Sequence, residues 1–550
     1  MPSGLRKTTG NHFEIYYEQP WGGVASNANP VDIQPNQFVT CQGAVSNNGE
    51  LNQVAVIAPS NSNFRFYPHQ TNSAICVIFT MGGNYYAIDQ FGNMYQNIDG
   101  AFGFTYKCAA SDGPWAFSGL IPTIAVQVIN GTAYISVYYR NSIYSYDGNV
   151  TFTLGSNYVG GLVLGVLDDY LLMLNCNQAS GGANASMISW SGPGEFTTWN
   201  PSSNQLAGYN QLATVDDQLT GFLSFASVGV AISAKSLIEL SPTGVGIEPF
   251  SFTALWTSVI GQGCIYPSTI TQYGQNGYLT TDSGVYTVSA SAGFSDISGA
   301  AKESILGSFQ YPSGIAGSGV GAVAGDVLLE FAGTAYPTPY YILAGPIVSG
   351  FAGEFYTLWL YDMQGSGWYS AQFSTVTLCN TQNGINNPPD ATPAVFNIGT
   401  FQPLTSSSAT FSSSFPPVTL IYYTSYNPVG GTFTSTVAQV VVSNSAAGIA
   451  SAHASPLNLV FRAEEIKLER KPTIRRVVVK AYGTGILTLT ISGKSFGTIT
   501  LDGTSTPKSY LTTAGIYTGE DPQLTITSTA FAGSIIKVML GGTYADGDID

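Results

Sequence analysis

NYYAIDQFGNMYQN, residues 84–97, is the stretch that decides the fold class of this chain. Tyr85, Tyr86 and Ile88, residue types suited to strands, occupy the first arm, and Asp89 to Gly92 form the kind of polar turn that joins antiparallel strands. The second arm carries an aromatic residue, Tyr95, near its end. Hairpins of this design recur six or seven times, about every 40–60 residues, and no helical periodicity exceeds about two turns. The sequence therefore predicts an all-β protein.

Six further stretches repeat the pattern of strand, turn and strand. They are TAYISVYYRNSIYSYDGNV (132–150), SMISWSGPGEFTTWNPSS (186–203), VGVAISAKSLIELSPTG (228–244), NGYLTTDSGVYTVS (276–289), YTLWLYDMQGSGWYS (356–370) and VTLIYYTSYNPVGGTFTSTVAQVVVS (418–443). Their spacing suits the four-stranded blades of a β-propeller, in which each blade covers the apolar face of the next. Because the repeats are irregular and share no strict signature, stacked β-sandwiches remain the alternative architecture.

Segments that depart from this rhythm set the predicted domain boundaries. The N-terminal region is rich in proline and reads as an extended arm, with Trp21 and Phe38 as its candidate packing anchors. A Ser/Thr/Pro-rich stretch late in the chain reads as a loop or small insertion. The predicted units are the arm over 1–45, a β-propeller body with irregular blades over 46–443 that includes the insertion at 380–417, and a closing blade or small β-domain over 457–550.

Charge is scarce and unevenly distributed. Charged residues make up 9% of the chain, far below the usual quarter, and the formal net charge is −15. Residues 8–461 hold 5 basic and 23 acidic side chains, a net −18. Such a body repels polyanions, so tight wrapping of nucleic acid is disfavoured, whereas a surface past which DNA slides is compatible with it.

Seven of the seventeen basic residues lie within nineteen positions, the basic segment 462–480. They are Arg462, Lys467, Arg470, Lys471, Arg475, Arg476 and Lys480. Pro472 interrupts any sheet ladder, after which alternation places Arg475 with Val477 and Val479 on one strand face. Three interpretations stay open: a solvated strand face, an electrostatic docking patch for an acidic face of a neighbouring subunit or partner, and direct contact with DNA.

Paired carboxylates do not form an acid/base dyad in this sequence. Asp168–Asp169 and Asp216–Asp217 are adjacent pairs, whose side chains would point to opposite faces of a strand, and their positions between strands favour turns. Thr280–Tyr286 loosely matches the Asp-box turn of sialidase propellers. Residues 8–461 contain only two arginines, too few for the arginine cluster that a sialidase needs.

Other chemistry is equally without support in the sequence. His12, His69 and His453 are scattered, and the six cysteines lie far apart with no CxxC, which predicts buried free thiols and neither a metal site nor a cofactor. The N-terminus lacks the apolar run of a signal peptide, and no span is long and apolar enough for a membrane helix. We therefore expect a non-enzymatic soluble protein. The missing signal peptide disfavours a cellular surface β-protein.

Several stretches resemble one family, the tail nozzle proteins of short-tailed bacteriophages (the tail tubular protein B and packaged-DNA stabilisation class). The resemblance lies in the arm EQPWGGVASNANPVDIQPNQFVTCQGAVSNNGEL (18–51), the hairpin ISWSGPGEFTTWNP (188–201), the central stretches 228–244 and 276–289 with Gly263–Cys264 between them, and the closing segment LVFRAEEIKLERKPTIRRVVVKAYGTGILTLTISG (459–493). It covers about two-thirds of the chain and consists of pattern more than invariant motifs. The sparse charge and the insertion at 380–417 depart from the family.

The resemblance implies a structural virion protein of the phage tail, assembled in the host cytoplasm. Its expected partners are further copies of the chain in a ring, taken as a hexamer, the head–tail adaptor above, and tail needle, spike or fibre proteins below. Double-stranded DNA would pass through the lumen without specific binding. The alternative is a tail-spike-like or extracellular propeller that binds or cleaves glycans, motivated by tryptophan and tyrosine at the hairpins and abundant Asn, Thr and Ser.

Overall fold

A computed structural model provides the three-dimensional structure of the chain. It describes residues 4–7, 12–18, 21–25, 36–47, 49–57, 65–70, 73–98, 103–115, 124–138, 142–149, 153–154, 160–177, 183–201, 206–212, 217–246, 248–256, 263–264, 269–273, 275–281, 283–289, 293–307, 328–332, 340–344, 355–374, 392–401, 418–427, 432–443, 452–462, 472–519 and 522–544. Almost all of them lie in antiparallel strands or tight turns. The all-β prediction is confirmed.

The N-terminal strands do not extend away from the molecule. They are β1 (Gly4–Lys7), β2 (His12–Glu18), β3 (Thr40–Gln42), β4 (Ala44–Asn47) and β5 (Glu50–Ile57). In β2 the side chains of Phe13, Ile15 and Tyr17 are buried while their neighbours are partly exposed, the alternation of a strand with one face on a core.

Five consecutive four-stranded antiparallel sheets follow, each a meander that forms one blade. Blades 1 to 5 are β6–β9 (Ile75–Met81, Asn84–Asp89, Asn93–Asn97, Thr105–Ala109), β10–β13 (Ile124–Ile129, Thr132–Val137, Ser142–Tyr146, Thr153–Leu154), β14–β17 (Gly161–Leu167, Tyr170–Asn177, Ala183–Trp190, Gly208–Gln211), β18–β21 (Leu219–Ser224, Gly229–Ser233, Leu237–Val245, Glu248–Trp256) and β22–β25 (Thr271–Tyr273, Asn276–Thr280, Val285–Ser289, Gly293–Asp296). A 3₁₀ turn (Gly299–Ala301) and one short helix, α1 (Lys302–Gly307), come next.

Two more blades complete the set of seven found in the described residues. Blade 6 comprises β26 (Leu328–Ala332), β27 (Tyr340–Ala344), β28 (Phe355–Asp362) and β29 (Gly367–Ser374). Blade 7 has only three strands from its own part of the chain, namely β30 (Thr392–Phe401), β31 (Val418–Asn427) and β32 (Thr432–Ser443). Its fourth strand is the N-terminal β5, which pairs antiparallel with β32 from Gln53↔Ser443 to Ile57↔Gln439.

The blades form a closed ring. The first strand of each blade packs against the first strand of the next, from β6 through β10, β14, β18, β22 and β26 to β30. Strand β30 in turn packs against β6, and the Ser435 hydroxyl of blade 7 accepts a hydrogen bond from the Ile75 N–H of blade 1 at 2.8 Å. The predicted propeller is therefore confirmed, and an N-terminal strand closes it.

A recurring side-chain cap holds a turn in four blades, after the second strand in blades 1, 4 and 5 and after the third strand in blade 6. Asp89, Ser233, Thr281 and Asp362 each accept a hydrogen bond from the backbone N–H two residues later, at 2.9–3.2 Å. Short polar side chains favour such turns because they mimic a backbone carbonyl. The Asp-box-like turn at 280–286 therefore belongs to this common device, with Thr281 as its cap, while Asp282 lies outside the described residues.

The C-terminal strands form a terminal domain beside the ring. They are β33 (Ala452–Ala454), β34 (Leu457–Arg462), β35 (Pro472–Ile491), β36 (Lys494–Asp502), β37 (Lys508–Thr512), β38 (Tyr517–Thr518), β39 (Gln523–Ser528) and β40 (Ala532–Tyr544). Strand β35 is long and runs unbroken for 20 residues. Its first part pairs with β40, and its last part pairs with β36 and β39.

Two glycines lie where β35 changes its pairing partners. Gly483 and Gly485 have φ values of 112° and 124°, in the region that favours glycine. A Cβ at Gly483 would lie 2.1 Å from the carbonyl oxygen of Ala532 on β40. Close backbone approach to β40 therefore requires glycine at this point of the strand.

The arm is part of this terminal domain. Strand β2 pairs with β40 along its whole length, and β3 pairs with β34. Strand β5 continues from pairs with β4 and β40 into blade 7, so one strand belongs to both units. A single core of large buried side chains also runs from the terminal domain into blade 6, and each such side chain contributes about 1.5–3 kcal/mol.

The structure also bears on the predictions made for Asp168–Asp169, for the cysteines and for the segment 380–417. Asp168 adopts a φ of 51° in the two-residue turn between β14 and β15, which confirms the turn interpretation of that pair. Five cysteines are buried free thiols as predicted, and Cys379 lies outside the described residues. Within the predicted insertion 380–417 the structure describes one strand, β30, where a loop or small insertion was expected.

Candidate docking surface on the terminal domain

Three residues of the basic segment 462–480 lie on the outward face of β35 in the terminal domain. Arg475, Arg476 and Lys480 are exposed, whereas Val477 and Val479 are fully buried. Arg462 lies at the end of β34, where its backbone pairs with Gln523. Its side chain falls outside the described part of the structure, as do the whole residues Lys467, Arg470 and Lys471.

A β-bulge overturns one detail of the predicted alternation. Arg475 was expected on the face of Val477 and Val479, but the register shifts between Ile474 and Arg476, which leaves Arg475 as an extra residue opposite β40. A bulge re-aims side chains in this way. Arg475 and Arg476 consequently both face solvent.

Arg476 contacts the N-terminal arm. Its guanidinium donates a hydrogen bond to the Glu14 carboxylate on β2, forming an ion pair in which the Glu14 side chain is 18% exposed. Between them stands Gly541 of β40, which pairs with both residues in register. A Cβ at Gly541 would lie 2.2 Å from Arg476 Nε, so glycine leaves the guanidinium room to cross the strand.

A second row of charges runs parallel to the first. Lys480 stands directly opposite Lys537 on β40, which in turn stands opposite Glu18 on β2. Lys537 Nζ lies 2.5 Å from a Glu18 carboxylate oxygen and 4.2 Å from the centre of the Tyr16 ring. These contacts compensate the positive charge of Lys537. Among the described residues, none forms an ion pair with Lys480.

An apolar row separates the two charged rows. Leu511 on β37, Val478 on β35, Met539 on β40 and Tyr16 on β2 are successive cross-strand partners and so share one face. Leu511 is 62% exposed and the other three are partly exposed. Apolar side chains bordered by charge are characteristic of protein interaction sites.

The bulge also borders a shallow depression of about 460 Å³. Its lining comprises His12, Glu14, Arg475, Arg476, Gly541, Gly542 and Thr543. Across the whole face, the cations Arg475, Arg476, Lys480 and Lys537 face two carboxylates, Glu14 and Glu18, which makes a net +2 on a chain of net −15. We refer to this face, from β37 across β35 and β40 to β2, as the docking face.

Sequence reasoning missed half of this face. Lys537, Glu14, Glu18 and Tyr16 come from segments far from the basic segment and meet it only through strand pairing. The alternation in HFEIYYE (12–18) would have identified Glu14, Tyr16 and Glu18 as one outward face, but not their neighbours.

The predicted anchors Trp21 and Phe38 attach the arm to its own chain. Both are buried, their rings lie 5.5 Å apart, and Phe38 packs on Phe461 of β34 with centroids 4.9 Å apart. The Trp21 carbonyl accepts a hydrogen bond from the Tyr369 hydroxyl of blade 6 at 3.1 Å. These residues therefore join the terminal domain to the propeller.

The described residues hold neither a metal-ligand cluster nor exposed tryptophans at Trp190 and Trp199. No group of three His, Cys, Asp or Glu side chains there could hold a metal ion, and none of the described helices could cross a membrane. Trp190 and Trp199, which had suggested exposed aromatic platforms, are buried. Trp190 packs against Phe250 of blade 4 at 5.8 Å, so the tryptophans serve contacts within and between blades.

Comparison with known proteins gives neither a family nor a curated relative. No protein-family model and no curated protein matches the chain. Among solved structures, the extracellular domain of a hybrid two-component system from B. thetaiotaomicron is 10% identical with a TM-score of 0.37, covering 69% of this chain and 40% of that one. BamB from Moraxella catarrhalis is 9% identical with a TM-score of 0.33, covering 72% and 97%.

A third similar structure is YCF48 from Cyanidioschyzon merolae, 12% identical with a TM-score of 0.28, covering 40% of this chain and 70% of that one. This chain thus spans less than half the length of the first of the three. Since all three TM-scores lie below 0.5, the propeller assignment rests on the strand pairing within this chain.

Proposed function

We propose that this chain is a structural virion protein, the nozzle ring of a short-tailed phage tail. In this role copies of the chain, six in the proposed ring, extend the DNA channel below the head–tail adaptor and anchor the terminal tail apparatus. The observation that carries the proposal is the docking face, a basic and partly apolar sheet surface on an otherwise acidic chain. An acidic face of a neighbouring copy complements it in charge.

The rigid connection between the two units supports a structural role. Strand β5 is shared by the terminal domain and blade 7, and the Trp21 and Tyr369 contact ties the arm to blade 6. A subunit in which the two units are joined at both points can transmit force between its neighbours. The resemblance of the arm and closing segment to nozzle proteins supports the same assignment.

In the proposed assembly, DNA runs along the axis of the ring of subunits and not through the propeller of one subunit. The wall of that channel is built from a propeller body of net −18 over residues 8–461. DNA passing an acidic or neutral wall is not held by counterion release, which suits passage without specific binding.

Mass measurement tests this function directly. Light scattering of the purified protein, combined with immunodetection on purified virions, should show a closed oligomer and its presence in tails. A protein that stays monomeric at micromolar concentration and is missing from virions overturns the proposal. The alternative, a glycan-cleaving propeller, would instead release reducing sugar from bacterial polysaccharide.

A further inference from the structure

Two tyrosines stand exposed on the outer rim of blade 1. Tyr67 is 44% exposed and Tyr106, on the outermost strand β9, is 42% exposed. The segment before Tyr67 runs beside the start of β9: Tyr67 N–H donates to the Phe104 carbonyl at 3.0 Å, and Phe104 N–H donates to the Arg65 carbonyl at 2.7 Å. The two tyrosines therefore belong to one surface patch.

Neighbouring groups hold both rings in place. His69 stacks on Tyr106 with centroids 3.9 Å apart and planes 19° apart. The His69 backbone N–H donates to the Tyr95 hydroxyl at 3.1 Å, and that hydroxyl donates to the fully buried Asp89 at 2.8 Å. Tyr67 lies against Gly103, where a Cβ would come within 2.6 Å of its ring. Rigid aromatic side chains of this kind make efficient binding anchors.

Positive charge is concentrated at the same place. The Arg65 guanidinium carbon lies 5.3 Å from the Tyr67 ring centre, and Lys107 is exposed beside Tyr106 because a bulge makes it an extra residue opposite β8. Arg65 and Lys107 are two of only five basic residues between positions 8 and 461. We call Arg65, Tyr67, His69, Tyr106 and Lys107 the rim patch.

We propose that the rim patch binds an acidic oligosaccharide, independently of the docking face. Aromatic rings offer flat apolar surface to the C–H face of a sugar ring, while Arg65 and Lys107 pair with its carboxylate. Nucleic acid fits less well because it carries one charge per nucleotide and would continue across a body of net −18. A glycan in which acidic rings alternate with neutral ones carries fewer charges along its length, so cations at a single place suffice to bind it.

Calorimetric titration of the full-length protein tests the proposal. The probes are oligogalacturonate, hyaluronan hexasaccharide, neutral maltohexaose and a ten-residue oligothymidylate. We expect at least one acidic glycan to bind with a Kd of about 1 mM or tighter, and Tyr106→Ala or Arg65→Gln to weaken it roughly tenfold or more. The matched control is Tyr209→Ala, since Tyr209 is a 54% exposed tyrosine on the outermost strand of blade 3.

Each outcome bears on the proposal. Retained thermal unfolding of Tyr106→Ala together with lost binding supports it, and Arg65→Gln provides the same test if the tyrosine variant unfolds. Failure of both acidic glycans to bind, equal binding of maltohexaose, tighter binding of oligothymidylate, or an equal loss in Tyr209→Ala overturns it. None of these results depends on whether the chain assembles into a ring.

Discussion

The guanidinium of Arg476 on β35 meets the carboxylate of Glu14 on β2 across the bare backbone of Gly541 on the strand between them. The pair thereby joins the N-terminal arm to the start of the C-terminal domain, residues 462 positions apart in sequence. Its position at the border of the basic depression gives it two consequences, one for stability and one for assembly.

The stability consequence is small and measurable. We expect the double-mutant cycle of Arg476→Gln and Glu14→Gln to give a coupling of about 0.2–1 kcal/mol in urea unfolding, because Arg476 is half exposed. The coupling should shrink in 0.5 M salt as screening increases. A coupling well above this range, or one that is insensitive to salt, would mean that the pair is more buried than the structure indicates.

The assembly consequence should be large. Arg475→Glu combined with Arg476→Glu reverses the charge of the docking face, so we expect a folded protein with unchanged circular dichroism that no longer assembles into tails. Lys302→Glu combined with Lys494→Glu makes the same change in net charge outside that face and should assemble normally. Normal infectious particles from the Arg475 and Arg476 variant would assign these residues to a merely solvated strand face.

Blade rhythm was predictable from sequence because a hairpin is a local structure. Polar turn residues such as Asp89 and Asp362 mark the turns, and the aromatic and branched residues around them mark the strands. The closing of the ring was not predictable, because β5 pairs with a strand nearly 400 residues later and nothing in its short sequence specifies that partner. Non-local strand pairing is decided by the whole fold.

The residues of the docking face were likewise predictable only where they are close together in sequence. The basic segment revealed Arg476 and Lys480, but Pro472 and the alternation after it could not reveal a bulge that depends on the partner strand. The sequence likewise could not predict that Lys537 lies opposite Lys480, because this depends on the pairing of β40 with β35.

The close approach of Gly483 to β40 allows a sharp test with an internal control. In Gly483→Ala the new methyl group would approach the Ala532 carbonyl to 2.1 Å, and both groups are backbone-bound, so we expect a loss of roughly 3 kcal/mol or more in unfolding free energy. Gly493→Ala, in the turn after β35, has a positive φ of 79° but open space around the new atom. It should cost only about 1–2 kcal/mol. Equal losses would contradict a packing requirement at Gly483.

Native thiols should resist modification. Burial raises the pKa of Cys108 and of Cys176 to about 11, so little thiolate forms at pH 8. Titration with a disulfide reagent at pH 8 should therefore modify no more than one of the six cysteines in the folded protein and all six in guanidinium chloride. A Cys379→Ser variant should then show no native reactivity, and two or more fast-reacting thiols would contradict the burial of the other five.

Asp362 makes the stability of blade 6 depend on pH. Its carboxylate oxygen accepts hydrogen bonds from the N–H groups of Gln364 and Gly365, both at 2.9 Å, while burial raises the pKa of the carboxyl above its ordinary 3.8. Between these two pKa values the folded state binds more protons than the unfolded state, so stability falls as pH rises through this window. Asp362→Asn keeps the accepting oxygen and removes the ionisation.

Unfolding free energies of the wild type and Asp362→Asn, measured from pH 3.5 to 7, should therefore diverge in favour of the variant as pH rises. Asp147→Asn, in an exposed turn of blade 2, controls for the loss of one negative charge from an acidic chain. Asp362→Ala removes the acceptor as well and should lose about 1–3 kcal/mol at every pH, because two N–H groups then lack their partner. If the wild type instead gained stability relative to Asp362→Asn with rising pH, hydrogen bonding to the carboxylate would outweigh its desolvation at this turn.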